Sequence, residues 1–280
     1  MRNVTYIEVE KLKPFESHPY YVKDDNEMMN LTESIKENGI LSPLIVRTIE
    51  NNEYEVISGH RRLHAGIKAG MDKVPALIYE MDRDSAAIVL VDSNLHRDNV
   101  LPSERAFAYK MKMEALSHQG KRTDLTLEQV APRLSTEIIG DSENVSKDTV
   151  KRYIRLTNLL PKLLEYVDEG QISFTPAVEL SYLNDIEQWD LLQAIELNDC
   201  TPSLSQAVRM KKLSQAGELD DGKINEIMAE EKANQKERIK IPLERVQKYF
   251  PSSYSNSQIE DAIVKMCEAQ YKRKKQQQER

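Results

Sequence analysis

Cysteine is nearly absent. The two residues, Cys200 and Cys267, stand far apart and have no histidine at metal-ligand spacing, which excludes a disulfide framework and a cysteine-based zinc site. Long apolar runs are missing too: the longest, at 86–91, falls far short of the roughly 20 residues that cross a bilayer. The opening MRNVTYIEVE has no signal-peptide core. A cytoplasmic protein with no membrane partner is expected. Glycine is scarce, at 9 of 280 residues, while 40% of the chain is hydrophobic and 30% charged. That composition excludes a fibrous or broadly disordered chain and predicts a soluble, helix-rich one. An excess of positive charge is also lacking. The formal net charge of -7 argues against a protein that coats nucleic acid through bulk electrostatics, because nonspecific binding scales with the phosphates neutralised. Local basic patches are present, at KDTVKRYIR (147–155) and YKRKKQQQER (271–280).

The length accommodates about two domains of ordinary size. Residues 1–98 mix strand-like and helical patterns, 99–230 turn helical, 231–238 read as a charged linker, and 239–280 form a small terminal unit with a basic tail. LIVR (44–47) and YEVIS (54–58) flank the turn signal NNE and predict a hairpin. Leu31 and Ile35 recur at helical spacing, and Gly39 supplies a C-cap. Farther on, Asp84 is expected as an N-cap, Pro102 near a helix start and Gly120 as a stop. Thr126 and Gln129 stand at capping-box spacing. STEIIGDSENV (135–145) reads as a polar interruption, after which Ser146 caps another helix. There Val150, Ile154 and Thr157 mark a packing face, and Asp148, Lys151, Arg152 and Arg155 a polar, net positive one. In the tail, Ile259, Ile263 and Met266 line a short helix that needs a partner.

YEVISGHRRLHAGIKAG (54–70) puts a glycine and two arginines where strand turns to helix. Backbone N–H groups at such a start point outward with the positive end of the helix dipole behind them, which attracts anions. Arg61 and Arg62 add forked donors for phosphate, and His60 a ring whose charge depends on its surroundings. Either a phosphate clamp or arginines paired with nearby acids fits this pattern. It is not a Walker loop, since no Gly-Lys-Ser/Thr follows. A second cluster, Asn94, His96, Arg97 and Asp98, offers an amide oxygen for a metal and a further phosphate donor. Alone, it reads most simply as a polar connection between helices.

Together these segments resemble the ParB family of DNA-partition proteins, in its ParB/RepB-type plasmid or mobile-element branch. Gly59, His60, Arg61 and Arg62 match the family's Gly-Glu-Arg-Arg motif. Ser93, Asn94 and Arg97 match its Glu-Asn-x-x-Arg motif. KLKPFESHPYYV (11–22) and ESIKENGILSPLIVR (33–47) look like the stretches that precede these motifs. TLEQVAPRL (126–134) and the segment from Val145 to Leu183 are similar to its helix-turn-helix and supporting helices. The resemblance covers most of residues 7–183 and implies an α+β protein. Its parts would be a small ParB/sulfiredoxin-like α/β N-terminal domain, an all-α helix-turn-helix domain and a small C-terminal dimerisation unit.

The resemblance further implies a homodimer that binds a centromere-like site on double-stranded DNA, uses CTP with Mg2+ to close as a clamp, and works with a ParA-type ATPase. It would be associated with the nucleoid or a plasmid. Gly59, His60, Arg61, Arg62, Ser93, Asn94 and Arg97 would then hold the nucleotide, with Asn94 on magnesium. Lys147, Thr149, Lys151, Arg152 and Arg155 would reach bases and phosphates from a helix in the major groove. The basic run Lys272–Lys275 would touch DNA nonspecifically. His60 and Ser93 replace two carboxylates, so CTP hydrolysis is expected to be slow or absent. The link between the two helices of the DNA motif reads as longer than the usual turn. Two alternatives stand beside this reading: a transcriptional regulator that keeps the nucleotide fold as scaffold, and a phosphotransferase-like enzyme of the same fold. Sulfiredoxin chemistry is excluded, because no cysteine adjoins Ser58-Gly59-His60-Arg61.

Overall fold

Short β-branched segments in the first third of the chain build one mixed sheet. A computed structural model describes residues 3–97, 99–123, 131–230, 246, 249–251, 254 and 256–278. Among them the strands are β1 (Thr5–Glu8), β2 (Leu12–Pro14), β3 (Leu44–Thr48), β4 (Tyr54–Ser58) and β5 (Lys73–Tyr79), in the order β1-β5-β3-β4-β2. β3 and β4 form the expected antiparallel hairpin, with Val46 opposite Val56. β5 runs parallel to β3, and β2 runs parallel to β4. Helix α1 (Asn26–Asn38) starts at Asp25, whose carboxylate accepts from Met28 N, and stops at Gly39 with φ 70°. α1 packs against α2 (His60–Lys68), and both cover the sheet. Met28, Leu44, Val46, Val56, Ala65 and Val74 are fully buried between these layers; each of the larger side chains contributes roughly 1.5–3 kcal/mol by leaving water.

The rest of this unit is helical: α3 (Arg83–Leu95), α4 (Pro102–Thr123), α5 (Ala131–Glu143), α6 (Lys147–Leu156), α7 (Pro161–Asp168), α8 (Phe174–Leu180), α9 (Asp185–Asn198), α10 (Leu204–Gln215) and α11 (Asp221–Ala229). Ile57 of β4, Leu90 of α3, Tyr109 of α4, Ile139 of α5 and Val150 of α6 belong to one buried cluster, so sheet and helices share a core. A second helical cluster joins α6 to α11. Residue contacts divide the chain into Met1–Glu230 and Glu231–Arg280. In the second unit, α12 (Asn256–Gln278) is a helix of 23 residues, longer than the short one expected.

Several boundaries differ from expectation. Asp82, not Asp84, caps α3 by accepting from Ser85 N, and Asp84 falls in its first turn. α4 begins at Pro102 as expected but runs past Gly120 to Thr123. STEIIGDSENV is no interruption: most of it is α5, whose inward side chains include Ser135 and Thr136, each 3% exposed, beside Ile139. The Thr126–Gln129 capping box lies outside the described residues.

Candidate nucleotide and DNA sites

β4 ends at Ser58 and α2 starts at His60, so Gly59 carries the whole change of direction at φ 103°. A Cβ there would approach Leu44 Cγ at 3.1 Å and the Arg62 guanidinium at 3.2 Å, so the conformation calls for glycine and the space around it is tight. The two arginines that follow take different tasks. Arg62 Nη1 donates to the carbonyls of Ser42 and, at 2.9 Å, Pro43, fastening the approach to β3. Burial first, and then the charge of Arg97, pull its pKa below the usual arginine value. Arg61 remains at the surface, paired with Glu27 at 3.1 Å and Asp25 at 3.7 Å.

His60 turns inward. Its ring lies 3.9 Å from that of His18, centroid to centroid. Burial pushes its pKa down to about 3, helped by the nearby charges of His18 and Arg97 and opposed by a backbone hydrogen bond with Val56. The main cause is therefore burial and not the adjacent arginines. His18 Nδ1 lies 2.8 Å from the Tyr20 carbonyl and 3.3 Å from Tyr20 N, so either tautomer ties the ring to the backbone of Tyr20. The Nε2 atoms of His18 and His60 are buried without a hydrogen-bond partner among the described residues.

The second motif lies at the end of α3. Ser93 Oγ donates to Leu90 O at 2.9 Å. Asn94 is 4% exposed, and its Nδ2 donates to the same carbonyl at 2.7 Å. Arg97 is exposed, with its guanidinium 5.9 Å from the centre of the Tyr20 ring. Arg97 and Arg61 line one cleft of about 380 Å³, together with Tyr20, Tyr21, Lys23 and the carboxylates of Asp25 and Glu27. Glu104 borders it and ties its edges, accepting from Tyr21 N at 2.8 Å and Leu101 N at 3.1 Å. Gly59, His60, Arg62, Ser93 and Asn94 are not among the residues that line it. Lys23 is a cation that the motif reading missed, and its only signal is its place directly after KLKPFESHPYYV. Among the described residues no group of three His, Cys, Asp or Glu could hold a metal ion. Asn94 offers one neutral amide oxygen, a donor set that suits Mg2+ only as an ion arriving with phosphates.

The expected helix-turn-helix is tighter than its sequence suggests. Only Asn144, Val145 and Ser146 separate α5 from α6. Asn144 takes φ 58°, and Val145 N donates to Gly140 O at 3.0 Å. A Cβ on Gly140 would meet Val145 O at 2.7 Å, so this close return also needs glycine. Ser146 caps α6 by accepting from Thr149 N, as expected. Val150 is buried, while Lys151 and Arg152 are exposed. Arg152 Nη2 donates to Thr175 Oγ1 at 3.1 Å and the guanidinium covers the Phe174 ring at 5.0 Å. Lys147 pairs with Glu137 at 2.8 Å, and the Thr149 hydroxyl lies 2.9 Å from Ser146 Oγ. Arg155 is drawn back: Nη2 donates to Ser181 O at 2.8 Å, and the guanidinium lies 4.0 Å over Tyr182.

With this geometry in place, comparison with known proteins identifies relatives. The family model of the ParB N-terminal domain matches residues 1–95. The nucleoid occlusion protein of Geobacillus thermodenitrificans is 31% identical over 218 residues, which are 77% of this chain and 71% of that protein. The nucleoid occlusion protein of Listeria innocua is 30% identical over 199 residues, 71% of this chain and 64% of the relative. The chromosome-partitioning protein Spo0J of Thermus thermophilus is 31% identical over 195 residues, 69% and 65%. The chain thus spans a little under two thirds of the last two. None of these names bears on a plasmid or mobile-element branch.

Proposed function

Because the chain belongs to the ParB family, we propose that it is a sequence-specific DNA-binding partition protein that reads a centromere-like site with α6 and responds to CTP. One observation carries the reading. Arg61 of the first motif and Arg97 of the second, separated in sequence by β5 and α3, line the same cleft. Two guanidiniums on one cavity suit a polyphosphate, each charge-assisted contact being worth roughly 1.5–3 kcal/mol. The exposed pairs of Arg61 with Asp25 and Glu27 are weak and exchangeable, so phosphate oxygens can replace them. Arg62 fastens the approach to β3 and does not line the cleft. Asn94, 4% exposed and outside the lining, would have to turn its amide oxygen into the cleft to meet magnesium carried in with the nucleotide. The inward-turned His60 and the short Ser93 supply no carboxylate, so hydrolysis is slow or absent and the nucleotide acts as a ligand. The name of the Thermus relative supports a role in segregation; a homodimer and a ParA-type ATPase belong to the same proposal.

The test starts in cells, by crosslinking the full chain to DNA and sequencing what is recovered. A single recurrent sequence is expected. On closed DNA carrying that sequence, CTP with Mg2+ should make the protein resist a salt wash, with phosphate release near background. Uniform recovery of DNA would sink the site-specific reading. Specific binding indifferent to CTP would leave a transcriptional regulator on a nucleotide-fold scaffold, and brisk phosphate release would overturn the assignment of CTP as a ligand only.

A further inference from the structure

α9 is apolar on two sides. Leu191, Leu192, Ala194 and Ile195 enter the helical core, where α9 packs with α11. That use accounts for the inner face. Ile186, Trp189 and Leu197 belong to the outer one, joined through Gln193 at spacings that place all four positions on one stripe. Their exposures are 74%, 59% and 78%. A lone exposed leucine requires no explanation, but three large apolar groups in line on one helix mark a contact surface. A helix that is apolar on both faces has the pattern of one covered on both faces.

The surroundings of the stripe say what could cover it. On a helical wheel Asp190 flanks it on one side, and Asp185 and Glu196 on the other, with Asp199 just past the end. α9 contains no lysine or arginine. Among the described residues none of these four carboxylates forms an ion pair. We propose that the outer face of α9 docks another protein, through a helix that offers an apolar face flanked by lysine or arginine. DNA and anionic lipid are repelled by the rim. A second copy of the same face would set carboxylate against carboxylate. A basic amphipathic helix instead lays its apolar side along the stripe and its cations between the acids. Trp189 would be the central anchor, tryptophan being enriched among residues that dominate interfaces. From Ile186 to Leu197 the stripe runs about 16 Å, or three turns, the reach of a short partner helix.

Trp189 is the chain's single tryptophan and reports its own burial. The full chain is titrated with a synthetic amphipathic helix of leucine and lysine about as long as α9, and separately with its leucine and glutamate counterpart. Saturable binding with a blue shift of tryptophan emission is expected for the lysine helix alone, weakening as salt is added. A variant carrying Ile186→Asp and Leu197→Asp should bind it about tenfold more weakly or worse, with an unchanged thermal midpoint because both side chains stand in water. Should that pair unfold the chain, Leu197→Ser alone serves. A variant carrying Asp185→Lys, Asp190→Lys and Glu196→Lys should switch preference to the glutamate helix. Equal binding of both helices, no shift with either, or no switch on charge reversal would overturn the proposal. Self-association of the wild type abolished by Ile186→Asp would overturn it too, by making a second copy the occupant.

Discussion

Arg61 and Arg62 adjoin in sequence and part in space, because consecutive helical side chains point about 100° apart. The motif marked both as phosphate donors; only one faces the cleft. We expect Arg61→Ala to weaken CTP binding by about tenfold or more, the loss of one charge-assisted contact, and calorimetric titration measures it. Equal affinity in a folded mutant would remove Arg61 from the clamp. His60 was legible as a departure from the family motif but not as an inward-turned ring, since its stacking partner His18 lies on a distant segment. That placement has a consequence for pH. With a folded pKa of about 3 against an ordinary 6.5, the unfolded chain takes up the proton first. Stability from this group is full above about pH 6.5 and is lost as pH falls toward 3, by up to about 2 kcal/mol at pH 5. Denaturant unfolding at pH 7 and pH 5 should show a larger loss in wild type than in His60→Gln, and identical losses would contradict the burial of the ring.

At the scale of elements, the hairpin, α1 and the start of α6 were readable because their caps and periodicities are local. α5 was not. Ser135 and Thr136 look solvent-directed in sequence, yet they face inward, where small side chains let α4 approach: Ser117 Oγ lies 3.3 Å from Ser135 Oγ. A polar residue that is buried because it is small leaves no hydrophobic stripe to find. The same packing shortens the α5–α6 link to a turn length compatible with a helix-turn-helix. On α6 the basic residues divide by their contacts. Lys151→Ala or Arg152→Ala should weaken binding to the cognate DNA, by about 1–3 kcal/mol at one base pair where the side chain reads a base, or alike on all sequences where it contacts phosphate. Arg155→Ala should instead lower the thermal midpoint, because it releases Ser181 O and the Tyr182 ring. A mobility-shift series read beside thermal unfolding separates the two classes. DNA loss on Arg155→Ala without loss of stability would return that residue to the interface.

At the scale of the whole molecule, the proposed homodimer needs a surface that would join two copies, and the unit Glu231–Arg280 is the candidate. α12 is about 35 Å long by its residue count. Along it Ile259 is buried and Ile263 half-buried, while Val264, Met266 and Tyr271 are 56%, 55% and 71% exposed. A unit of this size rarely sustains a core alone and usually gains one by pairing. The first unit, by contrast, contains three buried clusters of its own, so removing the tail should leave it folded. A chain ended after Arg238 is expected to sediment as a monomer without nucleotide or DNA, and the full chain as a dimer. Met266→Asp in the full chain should give the same monomer while leaving every residue of the first unit in place. A dimer that survives both changes would assign the contact elsewhere, and Ile186→Asp would then ask whether the outer face of α9 supplies it.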